Sequence, residues 1–200
     1  QNAMYLIDQL TKEGSYDCNI LLLRKALGST ADAIRIGYFL KPLSYVPGIR
    51  VIASYHDNTD KTVAYDNAQA AIQAYDRIDA FMCDGDHQAI AFLSALNLAG
   101  RLDSSREDGK RVIILSVDDS KEAIKNVEEG YFATNTPYTP MMGDLGLRVL
   151  LTTITDPDND LPRDVIYPNI PIVTTDGRVL FGMKTLTPDE WYAYTFGPEV

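Results

Sequence analysis

An α/β fold, doubly wound around a five-stranded parallel sheet, is what the sequence predicts, and three observations carry it. Runs such as Asn19-Ile-Leu-Leu-Leu23 and Arg111-Val-Ile-Ile-Leu-Ser116 lack polar alternation, as strands buried on both faces do. Each is followed by a stretch of helically spaced apolar residues. Polar capping residues and glycines punctuate the alternation. A repeated strand–helix order builds a parallel sheet with helices on both faces, here in the strand order 2-1-3-4-5.

The opening stretch sets Ala3, Met4, Leu6, Ile7 and Leu10 on one helical stripe that Gly14 ends. The first strand covers 19–23. Ser29 or Thr30 can cap the next helix, which carries Ala33, Ile36, Phe39 and Leu40. Pro47-Gly48 precedes a second strand at 50–54, and an Ala-rich helix runs from about Thr62 to Tyr75. The third strand, 80–83, runs through Asp84-Gly-Asp86 into a helix from His87 to Ala99. After the polar loop 103–110 comes a fourth strand at 111–116. An amphipathic helix with Ala123, Ile124 and Val127 ends at Gly130, and a fifth strand is expected at 131–134. Beyond residue 135 a crossing segment leads to a helix from Met141 to Ile154 and a turn at Asp156 to Asp160. Short extended segments follow at 165–167, 170–173 and 179–181. The tail, with Trp191, Tyr192, Tyr194 and Phe196, is too aromatic to be read as disordered.

Composition excludes several functions. A net charge of −10 and a pI near 4.6 oppose a nucleic-acid or anionic-membrane partner. No apolar run reaches the roughly 18 residues of a membrane span. No basic and apolar leader opens the chain, which reads as beginning in mid-fold. Cys18 and Cys83 fall at opposite ends of parallel strands, so they are expected as free, partly buried thiols. With two histidines and no CxxC pattern, neither a metal site nor a cofactor is expected.

In open parallel sheets, ligands bind beyond the carboxyl ends of the strands. Those ends supply Ser29, Thr30 and Asp32; then Asp57, Asn58 and Thr59; then Asp84 and Asp86; then Asp118 and Asp119; and last Asn135, Thr136 and Tyr138. Carboxylates and amides along one rim suit a polyhydroxy ligand, since each hydroxyl can donate to one and accept from the other. Tyr138 or Tyr55 could stack on a sugar face. Any single member is more often a helix cap than a ligand contact, and Asp119 is expected to cap its helix. Five clusters on one edge favour a site. No nucleophile elbow, dinucleotide fingerprint or phosphate-binding loop is present, and no activated nucleophile stands out, so a binding protein is expected rather than an enzyme. Asp156, Asp158 and Asp160 lack the glycine and closing glutamate of a calcium loop.

The segment from Asp79 to Gly100 resembles a strand and helix in the C-terminal lobe of periplasmic ribose- and galactose-type sugar-binding proteins. Val112 to Gly130 is similar to their next unit, and Phe132-Ala-Thr through Pro140-Met-Met-Gly143 to their crossing between lobes. Gly28-Ser-Thr-Ala with Arg35 and Phe39 matches a looser motif. The likeness covers about residues 1–175. It implies one lobe of a two-lobed fold, with the N-terminal lobe largely missing. Residues 1–135 would form the C-terminal lobe, 136–165 a crossing and helix of the other lobe, and 166–200 a return strand and tail.

The resemblance also implies a sugar or polyol ligand, an ABC permease partner and a periplasmic location. It gives Asp118 the role of hydrogen-bonding sugar hydroxyls. Asp84, Asp86, Asn58, Thr59, Asp32 and Tyr138 complete the expected ligand set. Ala33 stands where an arginine often contacts ligand, Gly85 where an asparagine is usual, and Pro137 where a glutamine is common. An unusually acidic pocket is therefore expected. Residues 138–160 would expose apolar surface or self-associate. The effector domain of a lac-repressor-like regulator and the sensor domain of a membrane receptor share the architecture and are the alternatives.

Overall fold

The computed structural model describes residues 1–106, 109–138, 141–156, 158–161 and 170–197. In chain order the elements are α1 (Asn2–Glu13), β1 (Cys18–Arg24), α2 (Thr30–Leu43), β2 (Ile49–His56), α3 (Lys61–Ala74) and β3 (Ala80–Cys83). Then come α4 (Asp86–Leu98), β4 (Ile113–Val117), α5 (Lys121–Glu128), β5 (Thr134–Thr136) and α6 (Met141–Thr155). Two-residue strands β6 (Val173–Thr174), β7 (Val179–Leu180) and β8 (Met183–Lys184) precede α7 (Pro188–Phe196).

Strands β1 to β5 are parallel in the order β2-β1-β3-β4-β5, as the alternation predicts, and β6 adds an antiparallel sixth strand against β5. The apolar runs are explained by the two cores they serve. Ile20 and Leu22 point to the side of α1 and α2, with Met82, Leu115 and Phe39. Leu21 and Leu23 point to the opposite side, with Phe81, Phe92, Ile114 and Ile124. Each fully buried side chain of this size contributes roughly 1.5–3 kcal/mol. Phe81 and Phe92 stack at 4.0 Å between centroids.

Three local devices fix the ends of elements. Ser29 caps α2 and Asp60 caps α3. Gly14 closes α1 in the left-handed conformation. The tail is ordered by a capping box between Thr187 and Glu190, and Trp191 is buried.

The fifth strand is displaced from its expected place at 131–134. The backbone N–H groups of Tyr131 and Phe132 both donate to Asn126 O and so still close α5. Phe132 is buried as an anchor, and the ladder begins only when Ala133 N donates to Ile114 O. The expected extended segment at 165–167 lies outside the described residues. Cys18 and Cys83 are free and buried at opposite ends of the sheet. Burial pushes the Cys18 thiol up to about 12 and the Cys83 thiol well above its ordinary value, which disfavours the nucleophilic thiolate at both.

Gly48, just before β2, has φ +97, and a Cβ there would lie 2.8 Å from Tyr16 O. Gly37 lies inside α2 with open space around it. Gly48→Ala should therefore cost about 1–3 kcal/mol in urea unfolding. Gly37→Ala should stabilise by about 0.5–1 kcal/mol. Equal effects at the two positions would refute the backbone argument.

Candidate ligand-binding site

The carboxyl ends of β1, β3, β4 and β5 meet at one edge, and their side chains there form a linked cluster. Asp118, directly after β4, lies between two cations. Arg35 Nη1 stands 2.8 Å from its Oδ1, and Lys25 Nζ stands 3.2 Å from its Oδ2. Lys25 follows β1 and Arg35 projects from the first turns of α2, so two elements hold one carboxylate. Arg35 also donates to Asp84 O, and its guanidinium lies 5.2 Å over the Tyr138 ring. The Asp118 side chain remains 31% exposed, leaving lone pairs open to solvent. Beside it opens a cavity of about 200 Å³ lined by Asn2, Arg35, Tyr38, Val117, Thr136 and Tyr138.

The other expected residues separate into distinct groups. Asp32 is buried and paired with Arg24, whose Nε lies 2.9 Å from Oδ1 and Nη2 2.5 Å from Oδ2. Asp84 is fully buried beneath the cluster and accepts from Lys25 N. Asp86 accepts from Ser120 N and Asn135 Nδ2 at 2.7 Å each. It lines a second groove, of about 360 Å³, with Lys61, Tyr65, His87 and Glu122. Asp57 is buried and accepts from Gln88, with His87 Nε2 2.9 Å away. Asn58 and Thr59 lie on the exposed loop after the edge strand β2. Asn135 is buried, bonded to Asp86 and Ser116, and Tyr138 is 54% exposed at the rim.

Asp119 does not cap α5. Ser120 is the cap, accepting from Ala123 N, while Asp119 Oδ2 accepts from the Trp191 indole at 3.3 Å. The expectation failed because the turn runs one residue longer, through two residues of positive φ, Asp118 (115) and Asp119 (60).

A family model of the periplasmic binding protein domain matches residues 1–156. The chain belongs to the periplasmic binding protein family. It is 25% identical over 152 residues to the D-allose-binding periplasmic protein of Escherichia coli (strain K12), covering 76% of this chain and 46% of that protein. It superposes on an ABC transporter periplasmic solute-binding protein of Actinobacillus succinogenes 130z with bound D-allose. The TM-score is 0.75 at 20% identity, covering 88% of this chain and 57% of the other. A solute-binding protein of Bacillus halodurans C-125 with bound myo-inositol gives 0.71 at 18% identity, covering 96% and 59%. The chain thus spans about half the length of the relatives it matches.

For a periplasmic binding protein lobe, the rim carries more positive charge than its carboxylates alone suggest. Arg24 pairs with Asp32, and Lys25 and Arg35 pair with Asp118, so cations stand among the carboxylates of the acidic rim expected above. Ala33 is exposed, and the guanidinium of this helix reaches the rim from Arg35, two positions on. Lys25 and Arg35 were readable in advance: one ends a strand, the other is a helical turn from Asp32 on a rim-facing helix start. Trp191 gave no such signal, because its partner is 72 residues away.

Burial and the neighbouring Asp32 push the Asp84 carboxyl up to about 7, and burial does the same for Asp86. Asp119 rises to about 6 by burial. Burial is the largest single influence on Asp32 and would raise it, but the bonds from Arg24 and Asp84 and the Arg24 charge together hold it below its ordinary value. A folded-state carboxyl raised from 3.8 to about 7 contributes its stability below the unfolded value and loses it as pH climbs through the folded one. Melting temperature should therefore fall as pH rises from about 4 to about 7. Asp84→Asn should flatten that slope. An unchanged slope in the variant would show that Asp84 does not titrate there.

Proposed function

We propose that this chain is the C-terminal ligand-binding lobe, with its crossing segment, of a solute-binding protein that captures a sugar or polyol. The observation that carries this reading is Asp118: a partly exposed carboxylate held by Arg35 and Lys25 at the carboxyl edge of a periplasmic binding protein sheet. An anchored carboxylate can accept two hydroxyl protons while the flanking cations donate to the same sugar's oxygens. Tyr138, held under the Arg35 guanidinium, offers a face for stacking. In this reading Asp118, Arg35, Lys25 and Tyr138 touch ligand. Asp32, Asp84 and Asp86 shape the rim from beneath, and Asn58 and Thr59 approach from the outer loop. The D-allose and myo-inositol held by relatives make a monosaccharide or cyclitol the natural ligand class.

The rest of the assignment follows from α6. Leu147, Leu150, Leu151 and Ile154 lie on one helical stripe and are each more than half exposed. We assign residues 136–165 to a second lobe that covers this stripe and closes over the rim, and 166–200 to the return strand and tail. A second copy of the chain is the other cover that would suit it. Sedimentation of the full-length protein separates the two, a monomer favouring the lobe. An ABC permease is the partner we assign and the periplasm the location, both in keeping with the relatives' descriptions.

Titration calorimetry of the full-length protein with D-allose, D-ribose and myo-inositol tests the reading. Residues 1–200 alone should bind weakly or not at all, because half of the enclosing surface is absent. Asp118→Asn should weaken the best ligand at least tenfold, about 1.4 kcal/mol. Charge-assisted bonds of this kind contribute roughly 1.5–3 kcal/mol each. Unchanged affinity in Asp118→Asn would remove that residue from the site.

A further inference from the structure

The turn carrying Asp118 is held in a conformation its own residues disfavour. Asp118 and Asp119 are consecutive, non-glycine and both of positive φ, at 115 and 60. Aspartate tolerates the left-handed region better than most side chains, but two in succession persist only where the surroundings impose them. Three contacts do so. Asp118 N donates to Thr136 O at 3.1 Å, on the neighbouring strand. Ser120 N donates to Asp86 Oδ2 from below. The third comes from outside the parallel sheet: the Trp191 indole donates to Asp119 Oδ2, and the Tyr138 backbone N–H favours the same carboxylate's charged form.

Trp191 is the only tryptophan of the chain and is 2% exposed, packed in the core with Ile124, Val127 and Val173. Its ring meets Phe196 at 5.7 Å, and Phe196 lies 4.4 Å from Lys121 Nζ at the start of α5. Helix α7 therefore grips the turn and the helix that leaves it. On the other side Arg35 joins Asp118 to the Tyr138 ring. The circuit Asp118, Arg35, Tyr138, Asp119 is closed, and Trp191 is its anchor in the core.

We infer that Trp191 is a positioning residue for the ligand site: through Asp119 it holds the β4–α5 turn so that the Asp118 carboxylate faces the rim. The inference rests on the proposed role of Asp118, but its first test needs no ligand. In the full-length protein, Trp191→Phe keeps an aromatic ring in the core while removing the donor together with part of the indole's volume. Hydrogen exchange of the 118–120 amides should then rise at least tenfold, with α4 amides unchanged. Asp119→Gly suits positive φ without a brace and should leave exchange close to native. In the Asp119→Gly background, Trp191→Phe should change exchange less than twofold. If Trp191→Phe speeds exchange equally in both backgrounds, or across α5 and α7 alike, tryptophan is only packing and the inference falls.

With D-allose as probe, Trp191→Phe should weaken calorimetric affinity at least fivefold, and Asp119→Gly with Trp191→Phe should restore it. Loss of protection with unchanged affinity would overturn the link to the site. If the native protein takes no D-allose, the functional reading suffers and the exchange result alone decides the brace.

Discussion

Strands β1, β3 and β4 are covered on both faces, and this constraint places the chemistry of the molecule. With α1 and α2 packed on one side and α3, α4 and α5 on the other, a side chain along these strands must be apolar or fully bonded. Their backbone groups are spent on the ladder. Polar side chains can emerge in number only at strand ends, and the carboxyl ends also meet helix N-termini, where the backbone N–H groups favour negative charge. Asp32, Asp86 and the cap Asp60 all stand at such starts. The accumulation of carboxylates at one edge is thus a consequence of the fold before it is a sign of function.

Function begins where those carboxylates are treated differently. Asp84 and Asp86 lie beneath the surface, and their raised affinity for protons reflects burial with incomplete compensation. Asp32 is neutralised by a two-point contact with Arg24. Asp118 alone combines two cations, a strained backbone and open lone pairs. Buried carboxyls set the shape, while a charged and anchored one is left to meet solvent.

How much of this was legible in the sequence depended on the range of each interaction. The parallel sheet was readable because runs such as Ile20 to Leu23 report burial on both faces with no need of a partner. Caps at Ser29 and Asp60 were local for the same reason. The fifth strand was misplaced because Phe132 looks like strand but serves to close α5, a choice made by the Asn126 carbonyl. The carboxylates of the rim were all named in advance, yet their roles were not. Whether an aspartate is bound by Arg24, Lys25 or Trp191 depends on side chains that the fold brings together from 8, 93 and 72 residues away. The resemblance to sugar-binding proteins fixed on Asp118 and quoted Arg35 in a looser motif, but gave it no part in the ligand set because the contacting arginine was sought at position 33.

Helices α6 and α7 show the same logic at the scale of elements. Helix α6 leaves the sheet after β5 and α7 follows β6, and α7 buries Trp191 against α5 and β6 and so becomes part of the core. Helix α6 presents Leu147, Leu150, Leu151 and Ile154 outward. A helix of this length gains little stability from its own hydrogen bonds in water and depends on burying its apolar face. Exposing four large aliphatic side chains forgoes several kcal/mol, at about 25 cal/mol for each Å² left wet. Among the described residues these α6 side chains stay exposed, whereas the tail that follows returns to the sheet through β6 and buries Trp191. An apolar stripe left outward on a helix between two strands of the sheet suits the second lobe proposed above. Tyr138, which Arg35 ties to Asp118, is near the start of the segment assigned to that lobe, so under the proposal a closing lobe would act on the rim directly.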